Sequence, residues 1–331
     1  MPDRPRAAIT GCGVYLPDRV MTNHDLEKMV ETSDEWIMTR TGIRERRIAA
    51  PEQAASDLAL VAARNALAEA GLQPSDLNAI LVATMSADMV FPSTACLLQG
   101  ALGAMQAGAC DVSAACSGYL YALASAQGMI ATGLARHVLV VGSEVLSKIT
   151  DFQDRTSCIL FGDGAGATVV SAAKAGSHGE LLHTLLGADG TNWTSMALPA
   201  GGSRTPASHE TIDQRLHYIK LHGREIFSLA VRKIVEVVTD CLAACELTAH
   251  DVGLIIPHQM NLRIMSAAAE RLGLSMDKFF VNIDRYGNTG AATVPIALHE
   301  AHDQGRLKRG DIAVLVTFGA GLTWAGSVLR W

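Results

Sequence analysis

Hydrophobic residues follow helical and strand patterns in alternation along this chain. An alanine-rich helical segment at residues 66–70 leads to the apolar strand pattern at 79–82. A second helical segment at 241–245 leads, through a connection of the same register, to the strand pattern at 254–256. Such alternation predicts an α/β protein built of packed layers, and the matching order indicates an internal repeat.

The repeat includes two further features of each half. A small-residue segment that begins a helix occurs at 115–118 and again at 287–290. The pattern Phe-Gly-x-Gly precedes a strand at 161–164 and again at 318–321. Duplication of this kind implies two similar halves that meet at a pseudo-twofold axis, where corresponding positions converge.

The duplication also sets the predicted domain boundaries. Residues 1–175 are expected to form the N-terminal half, and residues 176–331 the C-terminal half. Between them lies the segment 187–223, which is rich in glycine, serine, proline and threonine. We predict a lid-like surface insertion there, because long loops within compact domains are often functional.

Charged residues are missing from two long stretches. Between Asp88 and Arg136 the one charged residue is Asp111, and residues 312–329 carry no charge. Pro92 and scattered polar residues interrupt the first stretch, and a glycine turn divides the second, which excludes membrane-spanning helices. We expect these stretches to be buried on every face or to form a subunit interface.

Composition narrows the function classes further. The chain has 331 residues, of which 49% are hydrophobic and 5% aromatic, so alanine, valine, isoleucine and leucine fill its core. A net charge of -6 without a long basic block argues against nucleic acid as a partner. The odd number of cysteines, 7, favours free thiols and a cytoplasmic location over a disulfide framework.

One cysteine differs from the others in its setting. Cys116 lies in the small-residue run 111–118, where a strand pattern changes into a helical pattern. Free N–H groups and the dipole at a helix N-terminus favour the thiolate, so we expect a lowered thiol pKa and a nucleophilic Cys116. His258 follows the repeated strand of the second half, and Asn288 lies at its small-residue helix start. The three side chains are predicted to converge.

Four motifs in this order resemble β-ketoacyl-acyl-carrier-protein synthase III, an initiating condensing enzyme of the thiolase superfamily. They lie at residues 32–47, 257–264, 284–292 and 318–324, and the similarity runs nearly from end to end. The resemblance implies a thiolase-like fold, in which two duplicated α/β halves form a five-layer αβαβα arrangement. It also implies a homodimer.

The implied reaction is a decarboxylative Claisen condensation that initiates fatty acid biosynthesis, carried out by a Cys-His-Asn triad. Cys116 takes an acyl group from an acyl-CoA primer such as acetyl-CoA, and the N–H groups of Cys116 and Ala320 stabilise the oxyanion. Malonyl-acyl carrier protein then loses CO2, while His258 and Asn288 donate to the enolate oxygen. Coenzyme A thioester is a substrate in this scheme, and no metal or permanently bound cofactor is implied.

The resemblance assigns two further groups of residues. Those expected along the coenzyme A site, from the adenine to the pantetheine tunnel, are Trp36, Arg155, Thr32, Arg40, Asn261, Arg263 and Gly223. Within this group, Trp36 and Arg155 would hold the two faces of the adenine. Those expected at the acyl pocket are Leu146, Phe161 and Phe91, the last of them inserted by the partner subunit.

Departures from the family pattern leave alternatives open. Ser228 and Glu270 stand where the family commonly has lysines that dock the acidic carrier protein, so the identity of the carrier is open. A plant-type polyketide synthase, or a secondary-metabolism condensing enzyme or acyltransferase with another starter or acceptor, would share the triad. A papain-like thiol hydrolase has the same order of residues, but no Cys-Gly-Ser-Cys-Trp signature surrounds Cys116.

Overall fold

The computed structural model describes residues 5–221 and 223–331, apart from the side chains of residues 223–225. The strands formed by the described residues are β1 (Arg6–Tyr15), β2 (Arg19–Thr22), β3 (Glu45–Ile48), β4 (Ala79–Ala83), β5 (Gly108–Val112), β6 (His137–Val145), β7 (Asp163–Ala173), β8 (Glu180–Ala188), β9 (Met196–Ala197), β10 (Lys220–Leu221), β11 (Val252–Pro257), β12 (Ile312–Gly319) and β13 (Thr323–Arg330). The α-helices are α1 (Asn23–Leu26), α2 (Asp34–Thr41), α3 (Ala55–Ala70), α4 (Thr94–Leu102), α5 (Gly118–Ala131), α6 (His209–Asp213), α7 (Gly223–Ala244), α8 (Leu262–Leu272), α9 (Ile283–Tyr286) and α10 (Thr293–Asp303).

Nine of these strands form one mixed sheet in the order β11-β12-β13-β8-β1-β7-β6-β4-β5. The strands of the N-terminal half and those of the C-terminal half join where Ala8 of β1 pairs with Glu180 of β8. Each half has a parallel core. In the N-terminal half β4 pairs with β5 and β6, and in the C-terminal half β11 pairs with β12. Antiparallel strands extend both cores. Parallel strands need helical crossovers, which explains the alternating pattern of the sequence.

Alternate side chains of the strands face different helical layers. On β6, Val138 and Val140 pack in a core shared with α5 and α10, whereas Leu139 and Val141 pack in the core beneath α3. On β12, Leu315 faces the shared core, and the residues on either side of it pack with α7 and α8. The N-terminal and C-terminal parts of the sheet lie on either side of α5 and α10, with α3 outside the first part and α7 and α8 outside the second. The order of layers is therefore helix, sheet, helix, sheet, helix. The five-layer α/β arrangement that the resemblance implied is confirmed.

The predicted division into halves falls between two strands. β7 ends at Ala173 and β8 begins at Glu180, on either side of the boundary between residues 175 and 176. Because β1 pairs with strands of both halves, the pairing pattern does not test this boundary, which stays a prediction.

The predicted insertion folds back onto the body of the protein. Its described part includes the paired strands β9 and β10 and helix α6. Met196 and Leu221 of these strands pack in a small apolar cluster with Leu146, Phe161 and Ile219. The segment therefore supplies a wall of the interior as well as a surface.

Two further predictions concern the thiols and membrane-spanning helices. The seven cysteines all lie in the described part of the chain, and each carries a free thiol. None of the described helices combines the length and the apolar character needed to cross a bilayer.

Candidate active site

Cys116 lies at the junction of β5 and α5. A 3-10 helix of residues Ala115–Ser117 links the strand to the helix, and Ala115 adopts the left-handed conformation with φ 48°. A non-glycine residue in this conformation is strained and persists where its surroundings hold it. The turn directs Cys116 into the interior, where its side chain is buried.

The thiol of Cys116 does not have the lowered pKa that its helix-start position predicts. Burial raises the pKa to about 12, and the nearby Glu144 carboxyl raises it as well. The N–H groups of Cys116 and Ala320 lie close to the sulfur and oppose this rise, but they are outweighed. The prediction of a lowered pKa is wrong because desolvation of a fully buried thiolate exceeds the effect of a helix terminus.

His258 follows directly after β11, as the repeat predicts. Its backbone N–H donates to the carbonyl of Val316 at 2.8 Å, and its ring Nδ1 lies 2.6 Å from the hydroxyl oxygen of Thr293. The other ring nitrogen, Nε2, is buried and has no hydrogen-bond partner among the described residues. Burial lowers the pKa of His258 to about 3, so its imidazole is neutral at physiological pH.

The side-chain amide of Asn288 has a fixed orientation. Its Oδ1 accepts a hydrogen bond from the backbone N–H of Gly290 at 2.9 Å. The backbone N–H of Asn288 donates to the carbonyl of Leu160 at 2.8 Å, and its carbonyl accepts from Gly162. These bonds tie Asn288 to the Phe-Gly-x-Gly segment of the first half and leave its amide NH2 group available to a ligand.

The three side chains line one cavity of about 210 Å³. Cys116 comes from the N-terminal half, and His258 and Asn288 come from the C-terminal half. Close packing brings the halves together, because a Cβ added at Gly319 of β12 would lie 2.8 Å from the Cβ of Cys116. The convergence predicted from the duplicated sequence is therefore present, although their roles in catalysis remain a proposal.

Comparison with known proteins places the chain in a family. Residues 110–190 match the family described as 3-oxoacyl-[acyl-carrier-protein (ACP)] synthase III, and residues 242–331 match its C-terminal family. A β-ketoacyl-[acyl-carrier-protein] synthase III from Caldanaerobacter subterraneus subsp. tengcongensis is 54% identical over 331 residues, covering 100% of this chain and 99% of the relative. The chain belongs to the β-ketoacyl-[acyl-carrier-protein] synthase III family.

Solved structures of similar proteins have the same architecture. The crystal structure of the protein from Aquifex aeolicus VF5 superposes with a TM-score of 0.90 at 47% identity, covering 98% of this chain and 100% of that one. A priming β-ketosynthase from the R1128 polyketide biosynthetic pathway superposes with a TM-score of 0.91 at 33% identity, covering 100% of this chain and 97% of that one. The thiolase-like fold extends over the whole chain.

Several of the residues assigned to nucleotide binding by the synthase III resemblance lie around one aromatic ring. The guanidinium carbon of Arg155 lies 4.6 Å from the centre of the Trp36 ring, and that of Arg40 lies 4.9 Å from it. The hydroxyl oxygen of Thr32 is buried without a hydrogen-bond partner among the described residues. Arg155 also donates to the carbonyl of Glu31 at 2.9 Å. Arg155 lies directly against the Trp36 ring, so the predicted adenine position between these two side chains is filled by Arg155 itself. The cluster offers cations and a π face at one place.

Asn261 joins this cluster to the synthase III cavity. It lines the cavity and caps α8, accepting a hydrogen bond from the N–H of Arg263 at 2.9 Å. Its amide nitrogen donates to the carbonyl of Arg40 at 3.0 Å. The Arg263 guanidinium lies over the ring of Phe227. Gly223, the remaining predicted coenzyme A contact, lies outside the residues whose surroundings the structure describes.

The predicted acyl-pocket residues occupy two places. Phe161 lines the cavity, and Leu146 packs against it in the apolar cluster that includes Ile219. Phe91 is 82% exposed and does not line the cavity of its own chain. The action of Phe91 on a partner subunit stays a prediction.

Two residues that contact this synthase III site were missed in the sequence. Thr293 holds a ring nitrogen of His258, and Glu144 accepts a hydrogen bond from Ala291, three residues after Asn288. Thr293 lies three residues after the small-residue segment 287–290, so its proximity to Asn288 was an available signal. Glu144 offered one signal, a carboxyl residue at the end of the apolar strand 138–145.

Proposed function

We propose that this synthase III family member condenses an acyl-CoA primer, acetyl-CoA or a similar thioester, with malonyl-acyl carrier protein. The product is a 3-oxoacyl-carrier protein, and the reaction initiates fatty acid biosynthesis. The observation that carries the proposal is the shared cavity of Cys116, His258 and Asn288. Each of these residue types supplies one need of the reaction: a soft nucleophile and two neutral hydrogen-bond donors.

In the first half-reaction, the sulfur of Cys116 attacks the thioester carbonyl and coenzyme A leaves as its thiol. The N–H groups of Cys116 and Ala320 already point at the sulfur, and they would receive the oxyanion that forms beside it. Because burial raises the thiol pKa to about 12, the resting thiol is protonated and gives up its proton in the course of this half-reaction. That proton leaves with the coenzyme A thiol.

In the second half-reaction, the malonyl thioester carbonyl lies between His258 Nε2 and the amide of Asn288. The bond to the carboxylate breaks, CO2 leaves, and the electron pair forms an enolate that both donors stabilise. The enolate carbon then attacks acyl-Cys116, a carbon–carbon bond forms, and the sulfur leaves and regains a proton from solvent. His258 acts here as a neutral donor, since burial lowers its pKa to about 3.

The remaining substrate and partner contacts belong to the same proposal. Coenzyme A would place its adenine at Trp36 and its pantetheine beside Asn261, and the carrier protein would dock at a basic rim that includes Arg263. Ser228, at the position of the missing lysine, is exposed on α7. We further propose a cytoplasmic homodimer in which Phe91 of each subunit completes the acyl pocket of the other.

The test separates the two half-reactions. The purified protein is incubated with a panel of acyl-CoA thioesters, intact mass identifies those that add to Cys116, and CO2 release is then followed with malonyl-acyl carrier protein. Cys116→Ser should form no thioester adduct. His258→Ala and Asn288→Ala should keep the adduct but decarboxylate roughly 100- to 1000-fold more slowly, because each loses one oxyanion donor. Absence of any adduct with the wild-type protein would refute the proposal.

A second candidate function rests on the similarity to the priming β-ketosynthase of a polyketide pathway. In that case the condensation would be the same, but the starter or the carrier would differ. The assay is repeated with a carrier protein of fatty acid synthesis and one of polyketide synthesis. Preference for the second carrier would favour this alternative, and an adduct that never condenses would favour an acyltransferase.

A further inference from the structure

Glu144 is a buried carboxyl residue near the end of β6 whose side chain lies between the two halves of the site. Its carboxyl accepts hydrogen bonds from the N–H of Met85 at 3.1 and 3.2 Å and from the Ser86 hydroxyl at 2.6 Å. It also accepts from the Thr84 hydroxyl and from the N–H of Ala291, each at 3.3 Å. Glu144 thus joins the loop after β4 to the turn that follows Asn288.

All of these partners donate. The Ser86 hydroxyl accepts from the N–H of Val145 at 2.8 Å, and the Thr84 hydroxyl accepts from the N–H of Ser86 at 3.1 Å. Each hydroxyl therefore has its proton free for Glu144. An ionised carboxylate accepts only, so it fits this set of donors, whereas an amide would place its NH2 group against another donor. No lysine or arginine forms a salt bridge with Glu144 among the described residues.

The same carboxyl lies directly against the turn that orients Asn288. A Cβ added at Gly290 would lie 3.0 Å from Glu144 Oε1 and 3.1 Å from its Cγ. The N–H of Gly290 is the donor that fixes Oδ1 of Asn288, at 2.9 Å. Glu144 therefore holds Gly290 and Ala291, and Gly290 in turn holds the Asn288 amide, whose NH2 group is the proposed donor to the substrate.

Glu144 also affects the Cys116 thiol. Its charge raises the pKa of the Cys116 thiol, second in effect to burial. Burial raises the pKa of Glu144 itself to about 7, and the hydrogen bonds from Ser86, Met85, Ala291 and Thr84 oppose that rise. The other titratable group that lines the cavity with Cys116 is His258, which is neutral above pH 5 because burial lowers its pKa to about 3.

We propose that Glu144 is a positioning residue for the condensation step: its carboxyl group holds the 290–291 turn, and through it the Asn288 amide. The inference rests on the proposed function, in which Asn288 serves decarboxylation and Cys116 serves acylation. A residue that served only stability would slow both steps alike. Loss of the Glu144 carboxyl group should instead slow decarboxylation far more than acylation.

The test measures the two steps separately in Glu144→Gln and Glu144→Asp. In Glu144→Gln, iodoacetamide should alkylate Cys116 several-fold faster at pH 8, because a nearby negative charge is gone. Decarboxylation of malonyl-acyl carrier protein by the acylated enzyme should be at least about tenfold slower, because a buried hydrogen-bond set is broken. Glu144→Asp keeps the charge but has a shorter reach, so its alkylation rate should match the wild type while its decarboxylation is slow.

Asp163→Asn is the matched control. Asp163 is also buried and accepts only from donors, the N–H of Ala49, the N–H of Ser147 and the hydroxyl of Ser147. Its substitution should lower thermal stability in a comparable way without accelerating alkylation. The difference in alkylation rate between wild type and Glu144→Gln should grow above pH 7 and vanish below pH 6, where Glu144 is protonated.

The outcomes are distinguishable. Equal losses of acylation and decarboxylation in Glu144→Gln, with unchanged alkylation, would overturn the inference and leave Glu144 a stabilising residue. If Glu144→Gln does not fold, Glu144→Asp decides by the ratio of decarboxylation to acylation, and a wild-type ratio overturns the inference. Failure of the wild-type enzyme to acylate would instead refute the proposed function, and that is measured before any variant.

Discussion

The chemistry proposed for His258 depends on where one proton lies. A neutral imidazole carries its proton on one ring nitrogen, and Nε2 can donate to an enolate only if Nδ1 accepts. The hydroxyl of Thr293 lies 2.6 Å from Nδ1 and 3.1 Å from the carbonyl of Gly290, so its single proton has two acceptors. Donation to Nδ1 gives the tautomer that decarboxylation requires.

Thr293→Val removes this donor with little change in shape. We expect the activation barrier of decarboxylation to rise by about 1–2 kcal/mol, because a buried ring nitrogen loses its hydrogen bond. The rate should therefore fall roughly 5- to 30-fold. Thr293→Ser keeps the hydroxyl and should retain the wild-type rate. Histidine-selective 15N NMR would report the tautomer directly. A wild-type rate in the valine variant, or a spectrum that places the proton on Nδ1 in the wild-type protein, would contradict this assignment.

A residue's place in the site was predictable from the sequence where its neighbours in the chain form a recognisable motif. Cys116, His258 and Asn288 each follow a recognisable strand or helix start, and the cavity contains all three. The pKa of Cys116 could not be predicted in this way, because desolvation and the Glu144 charge come from residues distant in sequence. Thr293 and Glu144 act through partners that only the folded chain brings near.

At the scale of elements, the site depends on close contact between β12 of one half and the start of α5 of the other. A Cβ at Gly319 would lie 2.8 Å from the Cβ and 3.0 Å from the backbone nitrogen of Cys116. These atoms are not the flexible end of a side chain, so they cannot move aside at small cost. The absent side chain at residue 319 therefore lets the strand reach the nucleophile.

Gly319→Ala should displace Cys116 and impair acylation. We expect a loss of about 1–3 kcal/mol in the free energy of unfolding from overpacking, together with slower transfer of the acyl group to Cys116. The measurements are thermal denaturation and adduct formation by intact mass. Gly128→Ala is the control within α5, where nothing lies within 4 Å of the added Cβ. It should raise the unfolding free energy by about 0.5–1 kcal/mol, and wild-type acylation in Gly319→Ala would contradict the argument.

The arrangement of elements was more predictable from sequence than their connections. The alternation and the repeat predicted α/β layers and two similar halves, and the strands at residues 79–82 and 254–256 lie within β4 and β11. The pairing of β1 with both β7 and β8 has no sequence signal, because strand pairing depends on which edges meet in space. Similarly, the packing of the insertion onto Leu146 and Phe161 depends on distant apolar contacts.

At the scale of the whole molecule, one chain leaves apolar groups exposed beside an open sheet edge. Val90 is 90% and Phe91 82% exposed, and Met105, just before β5, is 72% exposed. β5 is the last strand of the nine-stranded sheet, so its outer edge is unpaired among the described residues. Exposed apolar side chains and a free edge are features that a second subunit would cover. They lie in the uncharged stretch for which the sequence predicted an interface.

The proposed homodimer makes Phe91 act on the other subunit's acyl pocket, which a mixed dimer can test. Phe91→Ala should enlarge the pocket and extend the range of primers that acylate Cys116.

A chain with both Cys116→Ala and Phe91→Ala is then paired with a wild-type chain, using two affinity tags to isolate mixed dimers. The one remaining nucleophile belongs to the chain with an intact Phe91. If Phe91 acts across the interface, the mixed dimer shows the broadened primer range, because its working pocket receives alanine from the partner. A wild-type primer range would place Phe91 in the pocket of its own chain, and a monomer in analytical ultracentrifugation would rule out the arrangement altogether.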